Sequence, residues 1–126
     1  MNILDSSGWL EYFSDGPNAE NFTEPLEKLD ELLVPTICLY EVFKVVLRES
    51  GEDNAIQAIA MMKQGKIVDL TQDISIMAAK ISHEQKLPMA DSIILSTAQR
   101  YDATIWTQDV DFEGKPSVQY FAKKKK

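Results

Sequence analysis

Short apolar runs, each too brief for a helix, recur along this chain at Asn2–Asp5, Leu32–Val34, Lys66–Leu70 and Thr104–Trp106, and the segments between them carry helical periodicity. This alternation constrains the fold more than any other feature. Strands joined through helices run parallel, and their crossovers are right-handed. The expected architecture is therefore α/β, a three-layer sandwich around a central, mostly parallel sheet of about five short strands, with Ser117–Phe121 as the last edge strand. In such sheets ligands bind at the carboxyl ends of the strands, near the point where the strand order reverses.

The intervening segments can be read in turn. Trp9, Leu10, Tyr12 and Phe13 suit a short amphipathic helix stopped by Asp15-Gly16-Pro17. From Asn18 to Leu33 the chain is mostly acidic, and Phe22, Leu26, Leu29 and Leu33 recur at three- and four-residue steps, which predicts a surface helix running into the second strand. Thr36 to Ser50 is a strongly apolar helix in which Glu41 is the only acid before the last turn. Gly51 breaks the chain before a helix over Glu52–Gln64, Thr71 caps one that runs through Ile81, and Pro88 opens one that carries Asp91. His83, the single histidine, falls near a helix end, where it is expected to be solvated.

Four acids recur at equivalent places. Asp5 and Asp109 follow strands, while Glu41 and Asp91 lie in the first turns of helices that begin at strand ends. Each has a plain structural role. Asp5 can cap a helix in competition with Ser6 or Ser7, Glu41 can pair with Lys44, Asp91 can stabilise a helix dipole, and Asp109 and Asp111 are favoured turn residues. Asp91, however, heads the stripe of Ile94, Leu95 and Ala98 that should face the sheet, and a carboxylate there needs a helix N-terminus, a cation or a metal ion. No Cys and His set for zinc is present, nor a glycine-rich phosphate loop, nor a G-x-S-x-G elbow. What remains is oxygen-ligand chemistry, and clustered carboxylates with hard oxygen donors suit Mg²⁺ or Mn²⁺.

With 126 residues, 44% of them hydrophobic, the chain fits one domain, expected over residues 1–122, followed by Lys123–Lys126 as a disordered, solubilising tail. Twenty acidic and thirteen basic residues give a net charge of −7, which argues against a protein that grips nucleic acid by its overall field and leaves only local basic patches for that purpose. Cys38 has no partner for an intrachain disulfide, and MNILDSS has neither a basic start nor a long apolar stretch; a cytoplasmic protein with no membrane role is expected. Phe22, Tyr40, Phe43, Val46, Leu47 and Met61 exceed what one side of a small sheet can cover, so an exposed groove for a partner helix or a second subunit is expected.

Asp5 with Ser6 after the first strand, Glu41 inside the apolar helix, Asp91 in LPMADSIILSTA, and Thr107 with Asp109 in TQDVDF together resemble the PIN-domain ribonucleases, and among them the VapC-type toxins of toxin-antitoxin pairs. The resemblance covers nearly the whole chain. It implies that Asp5, Glu41, Asp91 and Asp109 are catalytic, with Asp5, Asp91 and Asp109 on Mg²⁺ or Mn²⁺, Ser6 and Thr107 ordering a carboxylate or water, and Asp111 a fifth, peripheral acid. It also implies a structured RNA of the tRNA or rRNA class as substrate, a cognate antitoxin that masks the site, and a homodimer. The acidic balance departs from what an RNA-binding surface requires. Two rival readings are a receiver-like phosphoacceptor domain, with Asp69 as acceptor and Thr107 as switch hydroxyl, and a catalytically silent module of the same fold that only binds a partner.

Overall fold

The computed structural model describes residues 1–125; Lys126, part of the expected lysine tail, lies outside the described residues. Five strands, β1 (Asn2–Leu4), β2 (Leu32–Pro35), β3 (Lys66–Val68), β4 (Thr104–Thr107) and β5 (Val118–Tyr120), form one parallel sheet in the order β3-β2-β1-β4-β5. The first strand is the central one, pairing Ile3 with Leu33 on one side and with Ile105 on the other. All three side chains are fully buried, as expected of parallel strands covered on both faces.

Among the described residues six helices accompany the sheet: α1 (Ser6–Phe13), α2 (Thr23–Leu26), α3 (Thr36–Ser50), α4 (Glu52–Met62), α5 (Gln72–Gln85) and α6 (Met89–Tyr101). Helix α3 packs on α4, and α5 on α6. With right-handed crossovers this strand order sets α1, α3 and α4 on one face and α5 and α6 on the other, which makes the three layers. The strand order reverses between β1 and β4: the chain leaves β1 towards β2 and β3, then returns through α5 and α6 to β4. The loops after β1 and β4 therefore form the switch point.

One expected element is different. Residues 18–33 do not form a continuous helix but a 3₁₀ turn (Ala19–Phe22), the single turn of α2 and a second 3₁₀ turn (Leu29–Glu31). Pro25 has no N–H to extend a ladder, the Thr23 hydroxyl bonds the Glu20 carbonyl at 2.8 Å, and Lys28 leaves helical geometry at φ −123°. The break turns Phe22 inward. It is fully buried, edge-to-face with Phe121 at 5.5 Å, and so does not join the exposed surface foreseen for it. Gly8 makes room for this ring, because a Cβ there would lie 3.2 Å from the Phe22 ring and from the Trp106 carbonyl oxygen.

Candidate active site at the strand-order switch

Asp5 follows β1 directly and caps α1, accepting from the Gly8 backbone N–H at 2.9 Å. Capping is only part of its role. The Ser7 hydroxyl donates to the same oxygen, Oδ1, at 2.7 Å, and the Thr107 hydroxyl donates to Oδ2 at 2.6 Å. Two donors thus come from α1 and one from the end of β4, so a buried carboxylate is the joint between the two switch-point loops. Burial pushes the Asp5 carboxyl up to about 6; the bonds from Thr107, Ser7 and Gly8 hold it lower than burial alone would, and the nearby Asp109 charge adds to the rise.

Asp91 has no such support. Its helix is buried along Asp91–Ala98, and the other polar side chains on that stretch are satisfied by backbone: Ser92 bonds the Met89 carbonyl, Ser96 the Ile74 carbonyl and Thr97 the Ile93 carbonyl. Asp91 instead meets acids. Carboxylate oxygens of Asp91, Asp109 and Asp111 lie within 4.8 Å of one another. Burial, the charge of Asp109 and shared hydrogen bonding with Asp109 and Asp111 raise the Asp91 carboxyl well above the usual carboxylate range. No cation offsets these charges among the described residues, where the single ion pair joins Arg48 to Glu49 at 3.4 Å.

The loop that carries Asp109 and Asp111 is shaped locally. Thr107 accepts from the Asp109 N–H at 2.9 Å, and Asp109 Oδ1 accepts from the Asp111 N–H at 2.9 Å, which starts the 3₁₀ turn over Val110–Phe112. Phe112, fully buried, pins that turn to the core. Glu41 stands apart from the trio but is tied to the same end of the sheet, its Oε1 accepting from the Ser6 hydroxyl at 2.6 Å. One turn before Glu41 on α3, the buried Cys38 thiol is pushed far up by burial and by the charges of Asp5, Glu41 and Asp91. The charges of Asp5, Glu41 and Asp91 are thus all felt at one buried side chain on α3.

Of the residues singled out in the sequence, the structure puts Asp91 and Asp109 in one tight cluster, with Asp5 outside that cluster but near enough for its charge and theirs to act on one another. Asp111, expected at the periphery, lies in the tight trio, while Glu41 lies outside it. Ser7 also emerges as the hydroxyl on Asp5, in contact with Thr107 at 3.3 Å, whereas Ser6 serves Glu41. Two neighbours on a helix turn 100° apart, so one serine faces α3 and the other β4. Asp69, the acceptor in the receiver reading, is exposed after the edge strand β3, with β2 and β1 between it and β4. It cannot work together with Thr107, which is fully buried against Asp5.

All-oxygen donors, held close together without cations, fit a hard divalent ion better than a soft metal. A family model described as PIN domain matches residues 3–116. No curated protein matches the chain by sequence. Among solved structures, a toxin-antitoxin complex from Klebsiella pneumoniae superposes with a TM-score of 0.81 at 24% identity, covering 97% of this chain and 99% of that one. VapC20 from Mycobacterium tuberculosis, described as a sarcin-ricin loop cleaving toxin, has a TM-score of 0.79 at 14% identity over 94% and 97% of the two chains. VapBC2 from Rickettsia felis, bound to a DNA fragment from its promoter, gives 0.74 at 16% identity over 96% and 97%.

Proposed function

Because the chain belongs to the PIN domain family, we propose that it is a metal-dependent endoribonuclease, a VapC-type toxin that hydrolyses phosphodiester bonds in structured RNA and is held inactive by a cognate antitoxin. The observation that carries this reading is the uncompensated trio of Asp91, Asp109 and Asp111 beside Asp5 at the switch point. Asp91 and Asp109, with Asp5 or Asp111, would hold Mg²⁺ or Mn²⁺. When bound, such an ion supplies positive charge for the phosphate and lowers the pKa of water. The chain's own part is positioning. Thr107 and Ser7 fix the Asp5 carboxylate, the Thr107 oxygen orders the Asp109 backbone, and Ser6 holds Glu41 at the rim, where an acid can take a proton from water or return one to a leaving oxygen.

An apolar groove of about 560 Å³ along α3 and α4, lined by Leu39, Tyr40, Phe43, Leu47 and Ile59, is the seat for a partner helix or a second copy; Tyr40 is 61% exposed there. Val46 and Met61, foreseen for the same groove, line a separate cleft nearer the site. No helix is long and apolar enough to cross a membrane among the described residues. The test is cleavage of total cellular RNA and of a structured RNA by the purified protein with Mg²⁺ or Mn²⁺, with and without EDTA. Discrete fragments that vanish with EDTA are expected. Cleavage indifferent to EDTA, or none under any metal, would overturn the proposal.

A further inference from the structure

A nuclease with a net charge of −7 and an acidic site repels its own substrate unless cations stand close to that site. The only basic cluster in the sequence is the lysine run, and the fold ties the residue before it, Ala122, to the end of the sheet that carries Asp5. After β5 the chain does not drift away from the sheet. The Phe121 N–H donates to the Thr107 carbonyl at 2.9 Å, and the Phe121 ring stacks on Trp106 at 6.1 Å and meets Phe22 edge-on. The next residue is clamped as well, the fully buried Asn18 donating from Nδ2 to the Ala122 carbonyl at 3.0 Å and to Gln108 Oε1 at 3.0 Å.

The clamp connects to the site itself. The Gln108 N–H donates to Ser7 Oγ at 3.2 Å, and Ser7 Oγ donates to Asp5. A continuous set of hydrogen bonds thus runs from the Asp5 carboxylate through Ser7, Gln108 and Asn18 to the carbonyl directly before Lys123. Lys123 lines the same cleft of about 780 Å³ as Ser7 and Gln108. Lys123, Lys124 and Lys125 are exposed, and none forms an ion pair among the described residues.

We propose that Lys123, Lys124 and Lys125 are a substrate-binding element of this site, a cationic rim held at the carboxyl edge of the sheet by the Asn18–Gln108–Ala122 clamp, which grips RNA phosphates next to the bond being cut. This deepens the endoribonuclease reading and rests on it. Three extended residues span about 10 Å, enough to follow more than one phosphate of a strand. An acidic protein surface could also meet these lysines, and the experiment below separates that outcome; a phosphodiester cut by a metal-dependent site is drawn to the acids once the ion is bound.

The experiment compares the wild type with three variants: Lys123→Gln with Lys124→Gln and Lys125→Gln, the same three positions changed to Arg, and a short glycine-serine spacer inserted between Ala122 and Lys123. RNA cleavage gives kcat and KM. Fluorescence anisotropy of a labelled structured RNA, in Ca²⁺, gives affinity against salt independently of turnover. The glutamine variant should raise KM about tenfold with kcat little changed, and should flatten the slope of log affinity against log salt by about 2, at roughly 0.7 for each phosphate no longer neutralised. Arginine should restore both. The spacer should raise KM although no charge is removed, because the clamp no longer sets where the charge lies. An unchanged KM and salt slope in the glutamine variant, with the wild type cleaving normally, would overturn this inference and leave the nuclease reading intact. If that variant instead lost binding to a polyglutamate peptide alone, the run would serve an acidic protein and the RNA assignment would fail. Absent cleavage by the wild type would overturn the nuclease reading, and the anisotropy slope would still decide the role of the lysines.

Discussion

The two halves of the site hold their carboxylates in opposite ways. Around Asp5, at the β1 and β4 ends, a buried acid is met by three donors from Ser7, Gly8 and Thr107. Around Asp91, at the start of α6, a buried acid is met by two further acids. The first half is complete within the chain and can be a fixed point of geometry. The second is in deficit, and at neutral pH only protons or an added cation can relieve it. A fold that can satisfy Ser92, Ser96 and Thr97 on the same helix with backbone carbonyls has the means to satisfy polar groups, and on the nuclease reading proposed above the exception at Asp91 belongs to function rather than to poor packing.

The comparison breaks most visibly at Asp91. Asp91→Asn keeps the shape of the side chain and removes a charge from the deficient half, so cleavage should fall by more than about 100-fold while the metal-free protein melts at the same or a higher temperature. The paired readings are RNA cleavage at saturating Mg²⁺ or Mn²⁺ and the melting temperature in EDTA. A variant that retains activity would show that the deficit has no role in catalysis and return Asp91 to a helix-opening acid.

The next largest effect is on stability against pH, and its sign follows from the raised carboxyls. Asp5 titrates at about 6 in the folded protein against an ordinary 3.8, so between these values the folded state holds more protons than the unfolded state, and metal-free stability falls as pH rises. At about 1.4 kcal/mol per pH unit this is roughly 3 kcal/mol, largely lost by pH 6 to 7. Asp91, raised by burial and by its acidic neighbours, extends the loss to higher pH. Adding Mg²⁺ or Mn²⁺ should reverse it above pH 6, and the metal concentration needed for half activity should climb as pH drops and protons compete. Melting curves in EDTA and in metal across pH 4 to 9 would check this; metal-free stability that rises through that range would contradict the burial of these acids.

Thr107→Val acts on the complete half. It removes the donor to Asp5 Oδ2 and leaves the Asp109 N–H without its acceptor, at about 1–3 kcal/mol of stability. Because Thr107 both orients Asp5 and orders the loop of Asp109, activity should drop about 10- to 100-fold, as for groups that orient metal ligands. The Asp5 carboxyl should rise further, moving the acid limb of the pH–rate profile to higher pH. A loss of stability with an unmoved profile would make Thr107 a packing residue only.

What the sequence makes legible follows from its periodicities. Asp5 and Asp109 can be placed because a strand's end is visible as the end of an apolar run, and the bounds of α3 at Thr36–Ser50 are readable because its apolar density is continuous. The segment from Asn18 to Leu33 misleads because a three- and four-residue rhythm of Phe22, Leu26 and Leu29 is also what successive 3₁₀ and α turns produce, and the rhythm does not register Pro25. Ser7, Gln108 and Asn18 do not show as a network in the sequence, since their bonds join positions about 100 residues apart. One local signal for Ser7 is present: in Asp5-Ser6-Ser7-Gly8 an Asp that caps a helix brings the second serine within reach of its own carboxylate. Asp111 reads as peripheral on the resemblance alone; the 3₁₀ turn over Val110–Phe112, started by the Asp111 N–H on Asp109 Oδ1, folds its carboxylate towards Asp91 and Asp109, and no apolar pattern in the sequence marks that turn.

That turn sets up the smallest of the expected effects. Asp111 is exposed, and it is its backbone N–H, not its side chain, that donates to Asp109 Oδ1, so Asp111→Asn leaves the turn in place and also leaves a neutral oxygen where the carboxylate was. Of the three acids in the trio it is the one most screened by water, and its loss should weaken the hold on the ion more than it changes the reaction. The expectation is a severalfold rise in the Mg²⁺ or Mn²⁺ concentration giving half activity, with kcat restored at saturating metal. A loss as deep as that of Asp91→Asn would place Asp111 among the groups the reaction depends on, and the deficient half would then contain three equivalent acids. A metal titration identical to the wild type would show that the proximity of Asp111 to Asp91 has no bearing on the ion, and the deficient half would shrink to Asp91 and Asp109.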